Sequence, residues 1–449
     1  MKLKPFIEIN IDNRWFVLPK IRQAKNCIVE MNDTGHFFLS ELACSKDVES
    51  IVESTLCKYG LPAESRSQIF ADLTSFINNF KASALIETED EFDDSSVKPK
   101  VAAMDLGFLH KYDLLQKGFS AKMRPFKFFI ELTYNCNLRC MHCYKTEDVF
   151  AERTEQVFFA TEKVFNLLDQ IELSGAVEVY FTGGEVFTHP DIFEILTYAS
   201  KKRFLTTVLT NGNYLCKETQ VQKLAGINLF DIRVSIYGNE QTHDAMTRVR
   251  GSYKKSTEAL KNIKKVLGIG TAVYVVTSDN FHAREAVFAF CEENDLNLSI
   301  STSIFPTVEG ELFPTRLRIS PEQYRLLAEE RQINLIGSSC TAGIGRFRVT
   351  PTGDINPCEL MRGDILGNVF SSSLNSILGS EKRCNFARRF TEIHKNHSCN
   401  KCSLRKHCNY CPALFILEAG DVNTPPKHLC SITQQKYELY TAAEESVKR

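Results

Sequence analysis

Sixteen cysteines in 449 residues are the feature that any fold for this chain has to accommodate first. The opening stretch MKLKPFIEIN is interrupted by Glu8, Asn10 and Asp12, so it is not read as a secretion signal. The thiols are therefore expected in a reducing, cytoplasmic setting, where clustered cysteines more often hold metal than form disulfides. Three of them, Cys136, Cys140 and Cys143, fall within eight residues, and eight more lie between Cys340 and Cys430. The rest of the composition is that of a globular protein with a sizeable core: 43% hydrophobic and 24% charged. Lys and Arg number 54 against 55 Asp and Glu, so no global field would recruit nucleic acid or anionic lipid. No run of eighteen apolar residues predicts a membrane helix.

At roughly 150 residues per domain the length predicts about three domains. Residues 1–87 read as a small winged-helix-like α+β unit. Strands are expected at Phe6 to Ile9, Trp15 to Leu18 and Cys27 to Met31. Helices follow near Phe37 to Leu42, after an N-cap among Asn32, Asp33 and Thr34, and after a cap at Ser45. A third helix carries the stripe Ile69, Leu73, Phe76, Ile77 and Phe80. Six acids in the eight positions from Glu87 to Asp94 predict a solvated linker, and residues 88–125 are assigned to a bridging segment.

From residue 126 to about 330, apolar runs alternate with amphipathic stretches. The runs are Phe126 to Leu132, Val177 to Phe181, Phe204 to Leu209, Phe230 to Ile236, Ala272 to Val276 and Leu296 to Ile300. Six β-α alternations predict a parallel sheet curled into a partial (β/α)6 TIM-like barrel, with its active face at the C-terminal ends of the strands. Residues 331–449 lose this periodicity, and metal is expected to hold them together. Within them Pro351 to Asp354 reads as a hairpin turn that returns Cys358 to Cys340.

The spacing Cys136-x₃-Cys140-x₂-Cys143 follows the first barrel strand. Three thiolates there suit three irons of a 4Fe-4S cube, leaving the fourth iron for an exogenous ligand. The competing reading is a Cys₃His zinc site completed by His142. Later come Cys340-x₁₇-Cys358, then Cys399-x₂-Cys402-x₅-Cys408-x₂-Cys411, then Cys430. Zinc knuckles compete with iron–sulfur clusters for these as well. Cys27, Cys44, Cys57, Cys216 and Cys291 are read as inert core thiols.

CxxxCxxC with Tyr144 directly after it resembles the radical S-adenosylmethionine (SAM) superfamily. So do Gly183-Gly184-Glu185 after the second strand, Asn211 after the third and Ser235 in the fourth, although Val186 replaces the usual proline. The resemblance implies an α/β fold in which Cys136, Cys140 and Cys143 hold a SAM-binding 4Fe-4S cluster. It implies SAM contacts from Tyr144, Gly183, Gly184, Glu185, Asn211 and Ser235. Thr247 stands where the family often has arginine, so a partner for the methionine carboxylate is sought at Arg248 or Arg250, and Arg250 is carried among the SAM contacts. A 5′-deoxyadenosyl radical would be the reactive species.

The later cysteines resemble the SPASM extension with its two auxiliary iron–sulfur clusters, expected to be 4Fe-4S. The family pattern gives Cys399, Cys402, Cys408 and Cys430 to one cluster and Cys340, Cys358 and Cys411 to the other. Cys384, an open position or a non-cysteine ligand would complete the second. The N-terminal unit resembles the PqqD-like leader-recognition element of peptide maturases. Its second helix region has three acids against two bases, which argues against DNA binding. Together these imply maturation of a ribosomally made precursor peptide that carries a leader, with a thioether or carbon–carbon crosslink as product. Flavodoxin or ferredoxin would supply electrons, with no nucleic acid or membrane involved. Formylglycine formation and radical chemistry on a small cofactor precursor are the alternatives. No general acid or base is identifiable from spacing.

Overall fold

The computed structural model describes residues 3–20, 28–44, 46–83, 85–86, 106–144, 157–331, 333, 335–396 and 398–447. They fall into two compact units, one running to Phe119 and including Asn228–Phe230, the other holding the remainder.

In the first unit β1 (Phe6–Ile11) and β2 (Arg14–Pro19) form an antiparallel hairpin in the register Phe6↔Pro19. Its two-residue turn puts Asp12 and Asn13 at φ 51° and 62°, the left-handed pair that matches the twist of a tight hairpin. β3 (Val29–Met31) pairs antiparallel with β2, giving the order β1-β2-β3. The Asn32 side chain accepts from Gly35 N at 2.9 Å and starts the helix Asp33–Ala43. Asp47, not Ser45, caps the helix Val48–Tyr59, accepting from Ser50 N at 2.8 Å. Ser45 itself lies outside the described residues, as do Cys27 and the acidic run from Glu87 to Asp94. Helix Arg66–Ala82 turns Ile69, Leu73, Ile77 and Phe80 inward against Leu39, Ile51 and Val52. Phe76 is only partly buried and packs at the margin of that core. Part of the expected bridging segment is the helix Leu106–Ala121, whose Lys111 Nζ donates to Ile28 O at 2.9 Å. Cys44 and Cys57 are exposed, not core, because Cys44 caps the end of Asp33–Ala43 and Cys57 falls on the outward face of Val48–Tyr59; Cys291 is buried as expected.

The second unit is built on one nine-stranded sheet in the order β12-β11-β10-β4-β5-β6-β7-β8-β9. Its parallel core comprises β4 (Lys127–Glu131), β5 (Glu178–Thr182), β6 (Leu205–Thr210), β7 (Asp231–Ile236), β8 (Thr271–Val275) and β9 (Asn297–Ser301). Helices Thr161–Ser174, Ile192–Ser200, Glu218–Gln222, Ser252–Leu267 and Arg284–Glu293 make the crossovers. This is the expected partial barrel. What the sequence did not suggest is how the cysteine-rich segment joins it. β10 (Arg346–Val349) lies parallel to β4 in the register Arg346↔Lys127 to Val349↔Ile130. β11 (Asp354–Asn356) and β12 (Gly367–Asn368) continue the sheet antiparallel. The Thr350-to-Asp354 turn is the expected hairpin, with Gly353 at φ 87°.

Strand alternation sorts the side chains of β4. Phe128 and Ile130 are buried, Phe128 stacking on Phe347 at 5.3 Å. Lys127, Phe129 and Glu131 point to the other, inner face. There Phe129 stacks on Tyr180 at 4.6 Å, Lys127 meets Glu178 at 3.4 Å, and Arg348 Nη2 reaches Glu131 Oε2 at 2.5 Å.

Trp15, the sole tryptophan, sits in the first unit, stacked on His36 with ring centroids 3.4 Å apart. Its emission therefore reports that unit alone. Leu73→Ala removes a fully buried side chain and should cost about 2–5 kcal/mol. Urea unfolding followed by tryptophan fluorescence should show an earlier midpoint; an unchanged midpoint would contradict the core described here.

Candidate metal centres

The loop carrying Cys136, Cys140 and Cys143 leaves the end of β4 and is fastened by three neighbouring strand ends. At β5, Gly184 N donates to Thr133 O at 2.8 Å and Glu185 N to Asn135 O at 2.7 Å. Here lies the need for two glycines. A Cβ on Gly183 would stand 2.3 Å from Thr133 O, and one on Gly184 2.0 Å from Asn135 O. The close approach is thus to the cysteine loop's own backbone.

After β6, Asn211 Nδ2 donates to Asn137 Oδ1 at 2.8 Å and lies 4.0 Å from Cys136 Sγ. Beyond β7, Arg139 N and Met141 N donate to Thr247 O and Met246 O at 3.1 and 2.9 Å. The Tyr237 hydroxyl lies within electrostatic reach of the Cys140 thiol and of Ser235.

Glu185 is almost fully buried. Its carboxylate accepts from Thr210 Oγ1 at 2.6 Å, Asn211 N at 2.7 Å and Phe187 N at 3.1 Å. Burial raises its pKa, and these three donors pull the other way. Glu185 therefore ties β5 to β6, a role its motif did not predict. Ser235 and Arg233 share the inner face of β7. The Tyr144 phenol is buried within electrostatic reach of Cys143, Glu131, Glu359 and Arg362, and burial drives its pKa up. Arg248 and Arg250 are both exposed; they lie in a turn cinched by Asp244, which accepts from Gly251 N at 2.5 Å and Tyr253 N at 2.8 Å.

The three thiols act on one another. Burial first, then the charges of Cys143 and Cys136, pushes the Cys140 thiol far up. Such a set carries thiolate only beside a compensating cation, which suits iron. His142, the alternative fourth ligand, packs edge-on against Tyr237 at 4.7 Å. Its Nδ1 is buried with no hydrogen bond, and burial takes the imidazole down to about 4, leaving a neutral ring with an unmet polar atom at the loop. That unmet atom and the thiol trio fit a bound cluster with a further ligand.

Electrostatic reach links the remaining cysteines in two sets, although the described residues hold no preformed group of three metal-ligating side chains. Cys399 is raised by burial and then by Cys408, Cys430 and Cys402. Lys436, a largely buried lysine on the helix Lys427–Val447, lies within reach of Cys408. Cys358 is raised by burial, Glu359, Cys340 and Cys411, and Cys411 is pushed up to about 12 by burial and Cys340. Cys384, on the helix Glu381–Asn396, is not among the groups that act most strongly on Cys340, Cys358 and Cys411. Sequence spacing missed Glu131, Tyr237, Arg348 and Arg362. The one available signal was period-two alternation, which places an acid, Glu131, on the inner face at the end of β4.

Comparison with known proteins agrees with this geometry. The profile of the Radical SAM superfamily matches residues 130–291, and that of the SPASM iron–sulfur cluster-binding domain matches residues 340–403. The chain is 30% identical over 328 residues to an AdoMet-dependent heme synthase of Methanosarcina barkeri, covering 65% of this chain and 92% of that protein. It is 25% identical over 354 residues to the antilisterial bacteriocin subtilosin biosynthesis protein AlbA of Bacillus subtilis, covering 72% and 74%. The crystal structure of Streptococcus suis SuiB bound to precursor peptide SuiA shares the fold, with a TM-score of 0.60 at 18% identity over 96% of this chain and 100% of that one.

Gly184→Ala should displace the loop by driving a methyl into Asn135 O while sparing the distant cysteine groups. After anaerobic reconstitution, iron should fall from about twelve to about eight per chain, the loss of one cube out of three. Full iron content in the variant would show that the close approach is dispensable.

Proposed function

This chain belongs to the radical SAM superfamily and carries a SPASM extension, and from that premise we propose that it modifies a ribosomally synthesised precursor peptide. It is an enzyme that uses SAM, a 4Fe-4S cluster and auxiliary iron–sulfur clusters. Cys136, Cys140 and Cys143 hold the SAM-binding cluster in this reading. Cys399, Cys402, Cys408 and Cys430 hold one auxiliary cluster, and Cys340, Cys358 and Cys411 the other. Tyr144, Gly183, Gly184, Glu185, Asn211, Ser235 and Arg250 frame the SAM site. When bound, these groups supply one-electron cleavage of SAM and hydrogen abstraction from an unactivated carbon.

The protein's own contribution is position and dryness. Tyr237 steadies the Cys140 sulfur, Asn211 holds the loop at Asn137, and Glu185 clamps the two strand ends beneath it. The barrel interior is lined by ion pairs and stacked rings, with Arg348 on Glu131 at the strand end from which the loop leaves, and it is there that a substrate carbon would be shielded from bulk water.

The observation that carries the peptide reading is the first unit. Among the described residues, its β3 strand is paired only on the β2 side, leaving one edge for an added peptide strand. Likeness to SuiB, crystallised with its precursor, runs along nearly the whole chain and supports the same reading. Flavodoxin or ferredoxin is the proposed electron donor, and the cytoplasm the proposed location. No helix among the described residues is long and apolar enough to cross a membrane.

Radical chemistry on a small cofactor precursor is the second reading, favoured by the identity to the heme synthase. Deleting residues 1–87 separates the two. Turnover of a full-length precursor should drop while SAM cleavage persists if a leader docks there; equal turnover with and without the unit removes the peptide reading. Cys140→Ala should abolish 5′-deoxyadenosine formation, and undiminished formation would refute the cluster assignment. Coexpression with a short neighbouring open reading frame, read by mass spectrometry, should show the loss of two hydrogens for each crosslink. An unchanged peptide mass from cluster-loaded enzyme would count against a crosslink.

A further inference from the structure

The inner face where β4 meets β10 and the loop after Cys358 carries three guanidiniums and two carboxylates. Glu359 takes Arg346, in contact with both its Nε and Nη2. Glu131, with no exposed surface, takes Arg348 at 2.5 Å, and Arg348 Nη1 donates to Asn356 Oδ1 at 2.7 Å. Arg362 shares Glu131 with Arg348. Its Nε donates to Glu359 O at 3.3 Å, and its own carbonyl oxygen accepts from Asn356 Nδ2 at 3.0 Å, which fixes the backbone. Its Nη2 stands 3.5 Å from Glu131 Oε1, at the limit of a hydrogen bond, and is buried with no hydrogen-bond partner.

The guanidinium carbon lies 5.8 Å from the centre of the Tyr144 ring. Tyr144 directly follows Cys143, and Arg362 is four residues beyond Cys358. This half-compensated fork therefore sits between the first cysteine loop and the hairpin that carries a second cysteine group. A guanidinium that shares a single carboxylate with a second arginine is only partly compensated, and an arginine fork matches a further carboxylate with two parallel hydrogen bonds.

We propose that Arg362 is the anchor for a carboxylate of the substrate, fixing the reacting residue between the two cysteine loops. This deepens the function proposed above and rests on it for the identity of the substrate as a peptide. Carboxylate recognition itself is common to a peptide C-terminus and to a small organic acid. Tyr144 forms the adjoining wall, its ring against the guanidinium, so the anchored group meets a charged fork and an apolar face together.

The test is calorimetric titration of anaerobically reconstituted holoenzyme with N-acetylglycine, acetate and N-acetylglycinamide. N-acetylglycine should bind about tenfold more tightly than the neutral amide, as charge-assisted hydrogen bonds predict. Arg362→Gln should abolish that preference and Arg362→Lys should keep part of it, with iron content and circular dichroism confirming that both variants are loaded and folded. Acetate binding as well as N-acetylglycine would assign the anchor to small acids; weaker binding of acetate would assign it to peptides. Equal affinity for acid and amide in the wild type, or a preference that survives Arg362→Gln, overturns the proposal. The radical reading is checked separately by deoxyadenosine formation in the wild type, so the two fail independently.

Discussion

The backbone contact between the end of β5 and residues 133–135 is what the rest of the candidate site depends on. Two hydrogen bonds, from Gly184 N and Glu185 N, bring the chain so close that neither glycine position admits a Cβ. That proximity aims the cysteine loop over the strand ends instead of out into solvent. Glu185 then carries the constraint sideways: its buried carboxylate takes donors from Thr210 and Asn211, so β6 is drawn into the same frame. A charge buried this deeply is tolerated because every nearby donor is directed at it. The loop is thus held by backbone geometry on one side and by a saturated carboxylate beneath.

The inner face of the sheet obeys a different logic. Charges there pair across neighbouring strands, Lys127 with Glu178 and Arg348 with Glu131, and along β7, where Arg233 meets Asp231 at 3.2 Å. Aromatic faces fill the spaces between, with Arg346 over Phe129 at 4.3 Å and Phe129 stacked on Tyr180. Such a lining is polar yet largely neutralised, which suits a cavity that must exclude water without being greasy. Breaking one member of a buried pair leaves its partner uncompensated, so these residues specify the arrangement more than they stabilise it.

The barrel was legible because its strands are short apolar runs at regular intervals, and the cysteine groups because thiol spacing is a strong local signal. Boundaries shifted by one residue where polar strand-end residues such as Thr182 and Thr210 still complete the ladder. What spacing cannot reveal is nonlocal pairing. Nothing between residues 331 and 345 announces that Arg346 will lie beside Lys127, more than two hundred positions earlier in the chain. Arg348 and Arg362 were invisible for the same reason: their meaning depends on Glu131, which only the fold brings to them. The motif glycines were expected only as SAM contacts, and nothing in the motif announced that they also make room for the cysteine loop. Cys44 and Cys57 misled because apolar neighbours in sequence do not share a helix face.

The ladder between β10 and β4 has a consequence for how such a chain can vary. An insertion just before residue 346 would pull Gly345 O away from Phe126 N and Lys127 N, both at 2.8 Å, without changing which strand side chains face inward. One extra residue inside Arg346–Val349 would instead rotate the strand by half a period, swapping Phe347 and Val349 with Arg346 and Arg348. Both arginines would then be pressed into hydrophobic packing, and the Glu131 carboxylate would be stranded. Drift in length therefore loosens a few backbone contacts on one side of that boundary and undoes the architecture a few ångströms beyond it.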